Sequence, residues 1–327
     1  MTRLAIAFLV LIFGLAPAAS PRAVAQSAFT GQRMPYNAFD RLPVTSVTAG
    51  GAVLKVAFAP GTMALSQDKI TGWIEKSAHA VTVYFGRFPV TSARILIVPV
   101  AGRGVQGGQA FGYGGAAIRL LVGGDSTEAD LARDWKGVHE MVHLALPDVN
   151  EQHLWLAEGL AVYVESIARV QAGDLTAARI WGEFMRDMPQ GLPADRDRGL
   201  DFTPTWGRTD WGGAIFCLAA DVEIRKRTGN KFGLQDAMRG VLAAGGTHEE
   251  DWPLTKIFSV ADGATGIPVL AELYEKMRAS AYAPDLDALW RDLGISTGIG
   301  GATFDDNAAL APIRRAITAS PAEAKRL

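Results

Sequence analysis

Apolar and polar positions along the 327 residues change period about midway. Residues 52–59 alternate in the manner of a strand, and Pro60-Gly61 supplies the turn after them. Residues 66–85 carry Ile70, Trp73, Ile74 and Ala78 at helical spacing, with Ser66 placed to cap the first turn. Residues 94–100 are apolar nearly throughout, as in an inner strand. Between Gly102 and Gly115 seven of fourteen residues are glycine. That stretch leads into an apolar run over 116–122 and reads equally as a flexible hairpin connection or as an edge strand that a peptide backbone can approach. From here the helical period dominates. One helix is predicted from Thr127, where Thr-x-x-Asp resembles a capping box, to Pro147. A second runs from about 152 to 172. A mixed, proline-broken segment follows over 180–209, then a long helix over 213–227 with Gly229 past its end. Shorter helices are expected over 236–242, 267–278 and 286–292, and one more in a tail beginning at Asn307. Strands with helix first and helices afterwards is the α+β pattern.

Composition adds limits. With 49% hydrophobic residues and a formal net charge of −2, the chain can bury a large core and gives no electrostatic reason to meet nucleic acid or an anionic membrane. Arg3, the apolar stretch 4–15 and the small-x-small run Ala23-Val24-Ala25 read as a secretory signal peptide, too short to span a bilayer comfortably. The chain is therefore expected in the periplasm or outside the cell, with no stable membrane insertion after cleavage. Cys217 is the single cysteine, so no internal disulfide is available and the thiol reads as a small buried hydrophobe. The expected organisation is a signal peptide at 1–25, an extended lead-in at 26–50, a sheet-containing lobe at 51–125, metal-site helices and a helical lobe at 126–300, and a tail at 301–327.

Two of the five histidines bracket a glutamate in His139-Glu140-Met141-Val142-His143. On a helix, i and i+4 share a face, so His139 and His143 can grip one ion while Glu140 turns toward a bound water. Glu158 follows in the apolar run Trp155-Leu156-Ala157-Glu158-Gly159, where an unpaired charge is costly and zinc would be its partner. A short connection through Pro147 allows the two helices to pack antiparallel. His153 lies about a turn and a half before Glu158 and is expected to point elsewhere, and His79 and His248 read as ordinary surface or core histidines.

These residues, with Leu160-Ala161-x-Tyr163 behind them, resemble the gluzincin metallopeptidases, especially the M1 and M61 aminopeptidase families. The stretches 213–229 and 234–238 resemble the helical part of M61 glycyl aminopeptidases. The resemblance covers roughly 90–295. It implies a thermolysin-like zincin domain, a small mixed sheet lobe followed by a helical lobe. It further implies one Zn(2+) per chain held by His139, His143 and Glu158, with Glu140 as general base and a peptide or protein as substrate. It places a substrate-pairing edge strand loosely at 107–117, where Tyr113, Gln106 and Gln109 are the polar candidates, and a histidine-orienting acid at Glu165. Tyr163 joins these as a candidate beside the ligands or substrate. The sequence departs from the family twice. The gap between His143 and Glu158 is shorter than usual, and no tyrosine precedes Gly213. Asp210 aligns with that tyrosine, and Arg208 is the nearest alternative oxyanion donor. The readings left open are an exported zinc peptidase, endopeptidase more than aminopeptidase because no amine anchor is evident; a zinc-binding pseudoenzyme; and a metal-free helical binding module.

Overall fold

A computed structural model describes residues 29–324; the expected signal peptide lies outside the described residues. Five strands form one mixed sheet in the order β1-β2-β3-β5-β4: β1 (Val44–Ala49), β2 (Ala52–Phe58), β3 (Ser92–Val100), β4 (Val105–Phe111) and β5 (Ala117–Gly123). β2, β3 and β5 run parallel, and β1 and β4 pair antiparallel at the two edges. Successive residues of the inner strands alternate between two faces, so Leu54, Val56, Ile95, Ile97, Ile118 and Leu120 join the main core. Ala57, Leu96, Val98 and Ala117 instead meet Met34 and Phe111 on the other side, as the period of two requires.

The segment expected as a lead-in is built into that second face. Val44–Ala49 is a strand, and residues 29–42 cover the sheet with Phe29, Tyr36, Phe39 and Leu42. The buried Arg119 on β5 holds this cover through the carbonyls of Phe29, Gly31 and Arg33 and donates to Gln109 Oε1 at 3.0 Å. The glycine-rich stretch resolves as edge strand β4, with a register shift between Val105 and Gly107.

Helix α1 (Gln67–Phe85) starts on Ser66, whose hydroxyl accepts the Lys69 N–H, and stops at Gly86, where φ is +79°. The single helix expected from Thr127 is instead two. Thr127 and Asp130 do form a reciprocal capping box on α2 (Glu128–Arg133). Asp134 then leaves helical geometry with ψ of 144°. Its carboxylate accepts the Gly137 N–H at 2.8 Å, which restarts the chain as α3 (Lys136–His143). Beyond Pro147 a short 3₁₀ turn leads into α4 (Leu154–Gln171). The segment read as mixed contains α5 (Ala177–Asp187), followed by a π turn over Gly207–Gly212 and α6 (Gly213–Arg227). α7 (Leu234–Ala243), α8 (Leu254–Thr265), α9 (Val269–Met277) and α10 (Leu286–Leu293) complete the helical part, with α8 unanticipated. A hairpin of β6 (Ile295–Gly298) and β7 (Gly301–Phe304) precedes α11 (Ala311–Thr318) and α12 (Pro321–Ala324). No described helix is long and apolar enough to cross a membrane. Cys217 is buried, and burial pushes its thiol well up.

Candidate metal centre

Three elements meet at the motif. α3 presents His139 and His143 on one face, and α4 packs beside it and presents Glu158. Helix α4 is held against α6 at backbone contact: a Cβ on Gly159 would lie 2.2 Å from Gly213 Cα, and one on Gly213 would lie 1.9 Å from the Trp155 carbonyl. Only glycines allow this approach. The consequence is that the π turn before Gly213 lies against the part of α4 that carries Glu158.

The three donor atoms converge. His139 Nε2 and Glu158 Oε2 are 3.1 Å apart, the two histidine Nε2 atoms 3.2 Å, and His143 Nε2 and Glu158 Oε2 3.6 Å. Donors on one tetrahedral zinc at about 2.0–2.2 Å stand about 3.3–3.5 Å from one another, so the residues fit the ion. They are also the one group of three metal-type side chains found among the described residues. Burial lowers the His139 pKa and so favours the neutral form a ligand needs. Burial works against the Glu158 charge, yet contacts with both histidines hold its carboxyl well below the usual range.

Glu140 is 8% exposed and lies against β4. A Cβ on Gly108 would stand 2.5 Å from its Cγ and 2.6 Å from Oε1, so the strand approaches the carboxylate through a glycine. Burial pushes Glu140 up to about 7, opposed by the charge of His143 and reinforced by that of Glu158. A cleft of about 510 Å³ opens here, with Gly108 to Tyr113 along one wall, His139, Glu140, His143 and Glu158 at its floor, and the apolar Leu146, Val149 and Leu154 opposite.

Several expected site residues lie elsewhere. Tyr163 is buried and donates to Asp221 Oδ2 at 3.0 Å, a core contact away from the ligands. Glu165 pairs with Arg169 at 3.3 Å and accepts from Ser166 at 2.8 Å; it orients no histidine, and His139 Nδ1 is buried with no partner among the described residues. Arg208 is turned into the protein, 2.9 Å from Asp197 Oδ2 and donating to the Gly191 carbonyl at 2.6 Å, because a buried guanidinium requires such partners. It cannot serve as the oxyanion donor. His153 lies 3.1 Å from Asp201 Oδ1, off the ligand set as expected. Tyr113 does line the cleft, 66% exposed, and its hydroxyl accepts the Met34 N–H at 2.7 Å. Asp210 lies on the π turn near the ligands: its charge acts on His143, and burial together with Glu158 pushes its own carboxyl up to about 6.

The cleft also contains His248, expected as an ordinary surface or core histidine, and Gln32, which the sequence did not single out. His248 lines it from the loop after α7, pinned by its own N–H on the Leu144 carbonyl at 3.3 Å. Gln32 reaches it from the N-terminal cover. Neither has a spacing relation to the motif, so no local pattern could have flagged them.

No family model matches this chain, and no curated protein matches it. Solved structures do. An aminopeptidase N family protein from Idiomarina loihiensis superposes with a TM-score of 0.56 at 16% identity, over 78% of this chain and 49% of its own. An M1 zinc metallopeptidase from Deinococcus radiodurans gives a TM-score of 0.47 at 15% identity, over 74% of this chain and 52% of its own. The chain thus spans about half the length of these structures. The first likeness, at that identity, is one of fold: a mixed α+β domain of the kind found in aminopeptidase N family proteins.

Proposed function

We propose that the protein is a zinc-dependent metallopeptidase that hydrolyses peptide bonds, exported from the cytoplasm by residues 1–25, which are then removed. The observation that carries this reading is the convergence of His139, His143 and Glu158 at zinc-ligand spacing, with the buried Glu140 beside them at the wall of an open cleft. Zinc held there would polarise a carbonyl and make water acidic enough to attack near neutral pH. The protein's own groups do the rest. β4 is the edge strand of the sheet and would pair with an extended peptide, and the glycines at 107 and 108 keep that edge uncrowded. Glu140 takes a proton from the attacking water at a carboxylate oxygen and returns it to the leaving amine. Its burial against Gly108 of β4 fixes the carboxylate beside the cleft for both halves of that exchange.

A chelator-sensitive peptidase assay on a broad peptide library tests the reading. Wild type is expected to carry about one zinc and to cleave. Glu140→Gln is expected to keep the metal and lose roughly 10²–10⁴-fold in rate, the span of general acid–base catalysis. Protein without zinc, or a fully active Glu140→Gln, sinks the proposal.

One observation supports a second reading, a zinc-binding pseudoenzyme serving as an extracytoplasmic binding or scaffold protein. The segment before Gly213 offers an acid, Asp210, toward the ligands, and Arg208 is spent on Asp197. Stoichiometric zinc with no cleavage of any library peptide is the outcome that selects it.

A further inference from the structure

Further along α4 from Glu158, lined by Val162, Glu165, Ser166 and Arg169, lies a second cavity of about 340 Å³. Three tryptophans line it. Trp135 and Trp206 are 43% and 64% exposed, unusual for the largest apolar side chain, and Trp211 is partly buried. The cavity adjoins the metal centre through two residues. Trp135 packs edge-on against the ligand His139 at 5.2 Å between ring centroids, and Asp210 lies close enough that its charge acts on His143.

Charge sorts the lining further. Glu165 is matched by Arg169, Glu183 by Arg179 and Asp187 by Arg186, and the remaining arginine, Arg133, is tied to Asp130 at 2.8 Å. Among the described residues, Asp210 is the acid of this cavity outside any salt bridge with a lysine or arginine; its carboxylate accepts a hydrogen bond from Trp206, and its charge acts on His143. A half-buried carboxylate flanked by indole rings is the chemistry that binds an organic cation, since the ring faces and the carboxylate both attract positive charge and neither demands a precise direction. Trp135 already takes a cation on one face, with Lys136 Nζ 4.5 Å from its ring centroid.

We propose that Asp210, Trp135 and Trp206 form a recognition subsite for a positively charged side chain of the substrate, an ammonium or guanidinium held on the Trp135 side of the metal centre. The proposal rests on the peptidase reading for its substrate, but the subsite itself binds cations whether or not cleavage follows. It also gives a role to the acid that stands where an oxyanion donor was expected.

Two measurements separate the proposal from the reading beneath it. In the first, zinc-loaded Glu140→Gln protein is titrated with lysine amide and with norleucine amide while tryptophan fluorescence is followed. Saturable quenching by lysine amide at concentrations roughly tenfold or more below those needed for norleucine amide is expected. That preference should be lost in the Asp210→Asn and Trp206→Leu forms of the same protein. In the second, kcat/KM is compared for matched peptides carrying lysine or norleucine, each with a free or acetylated N-terminus. The ratio of cationic to neutral substrate is expected to fall roughly tenfold to a hundredfold in Asp210→Asn, whereas a merely structural role lowers both substrates together. The preference for lysine over norleucine is expected to persist when both peptides are N-acetylated, because the α-ammonium is common to the two and the recognised cation is the side chain. Selective cation binding without any cleavage upholds the subsite and overturns the peptidase reading. Cleavage with no cation preference, or equal quenching by both amides, overturns the subsite.

Discussion

Gly108 sets how closely β4 can approach Glu140. Its backbone angles are ordinary, so alanine costs little in strand geometry, but the new methyl would sit within 2.6 Å of the Glu140 carboxylate. Gly108→Ala is therefore expected to displace Glu140 while leaving fold and ligands in place. The predicted result is a rate roughly 10²-fold lower, the usual effect of moving a reacting group by about an ångström, with zinc content and thermal midpoint close to wild type. Metal analysis and a melting curve alongside the kinetics check this. At this scale the sequence pointed to the convergence of His139, His143 and Glu158 beside Glu140, because helical periodicity alone puts residues four apart on one face and an apolar context marks Glu158 as a charge in need of a partner. It misassigned Tyr163, Glu165 and Arg208. Each is a buried polar group with a partner distant in sequence or outside the motif: Asp221 for the tyrosine, Arg169 for the glutamate, Asp197 for the arginine. Which buried partner a side chain finds is a tertiary matter.

Elements were most legible where a side chain closes a local ring of hydrogen bonds. Ser66 and Thr127 cap as their sequences imply, since capping involves residues within three positions of each other. The break at Asp134 was not legible, because nothing in a helical period shows that a carboxylate will accept from Gly137 rather than extend the helix. Helix α8 was missed because Thr255, Ile257, Val260, Gly263 and Thr265 are weak helix formers, and packing overrides that preference. The capping box yields a pH prediction. The Thr127 backbone N–H and hydroxyl, with Arg103, hold the Asp130 carboxyl well below the usual carboxylate range. A group depressed in the folded state stabilises above its unfolded pKa of about 3.9 and loses that contribution as pH falls through the lower folded value. Asp130→Asn is expected to melt below wild type at pH 7, with the gap closing progressively below about pH 4. Calorimetry at three pH values tests it, and a gap independent of pH would show that charge is not the cause.

For the molecule as a whole, an ion held by His139 and His143 of α3 and Glu158 of α4 would tie the two helices together and add to the stability of their packing. Free zinc at a thousandfold above its dissociation constant is worth about 4 kcal/mol, which for a chain of this size corresponds to a midpoint shift on the order of 10 °C. Chelated protein is expected to melt lower and recover on adding zinc. Glu140→Gln should respond in the same way, and Glu158→Gln should respond much less. Equal responses of wild type and Glu158→Gln would remove Glu158 from the ligand set. The sequence by itself determined the α+β class, the approximate boundaries of half the described helices, and the helical spacing that sets His139 and His143 on one face, since all of these depend on periods and contacts within a few residues. The tertiary structure alone decided what surrounds them. Backbone contact at Gly159 and Gly213 brings Asp210 to the ligands, the sheet order leaves β4 as the edge strand beside Glu140, and segments far apart in sequence bring Gln32 and His248 into the cleft. Those approaches depend on which surfaces the packed elements turn toward one another, and no period along the chain encodes that.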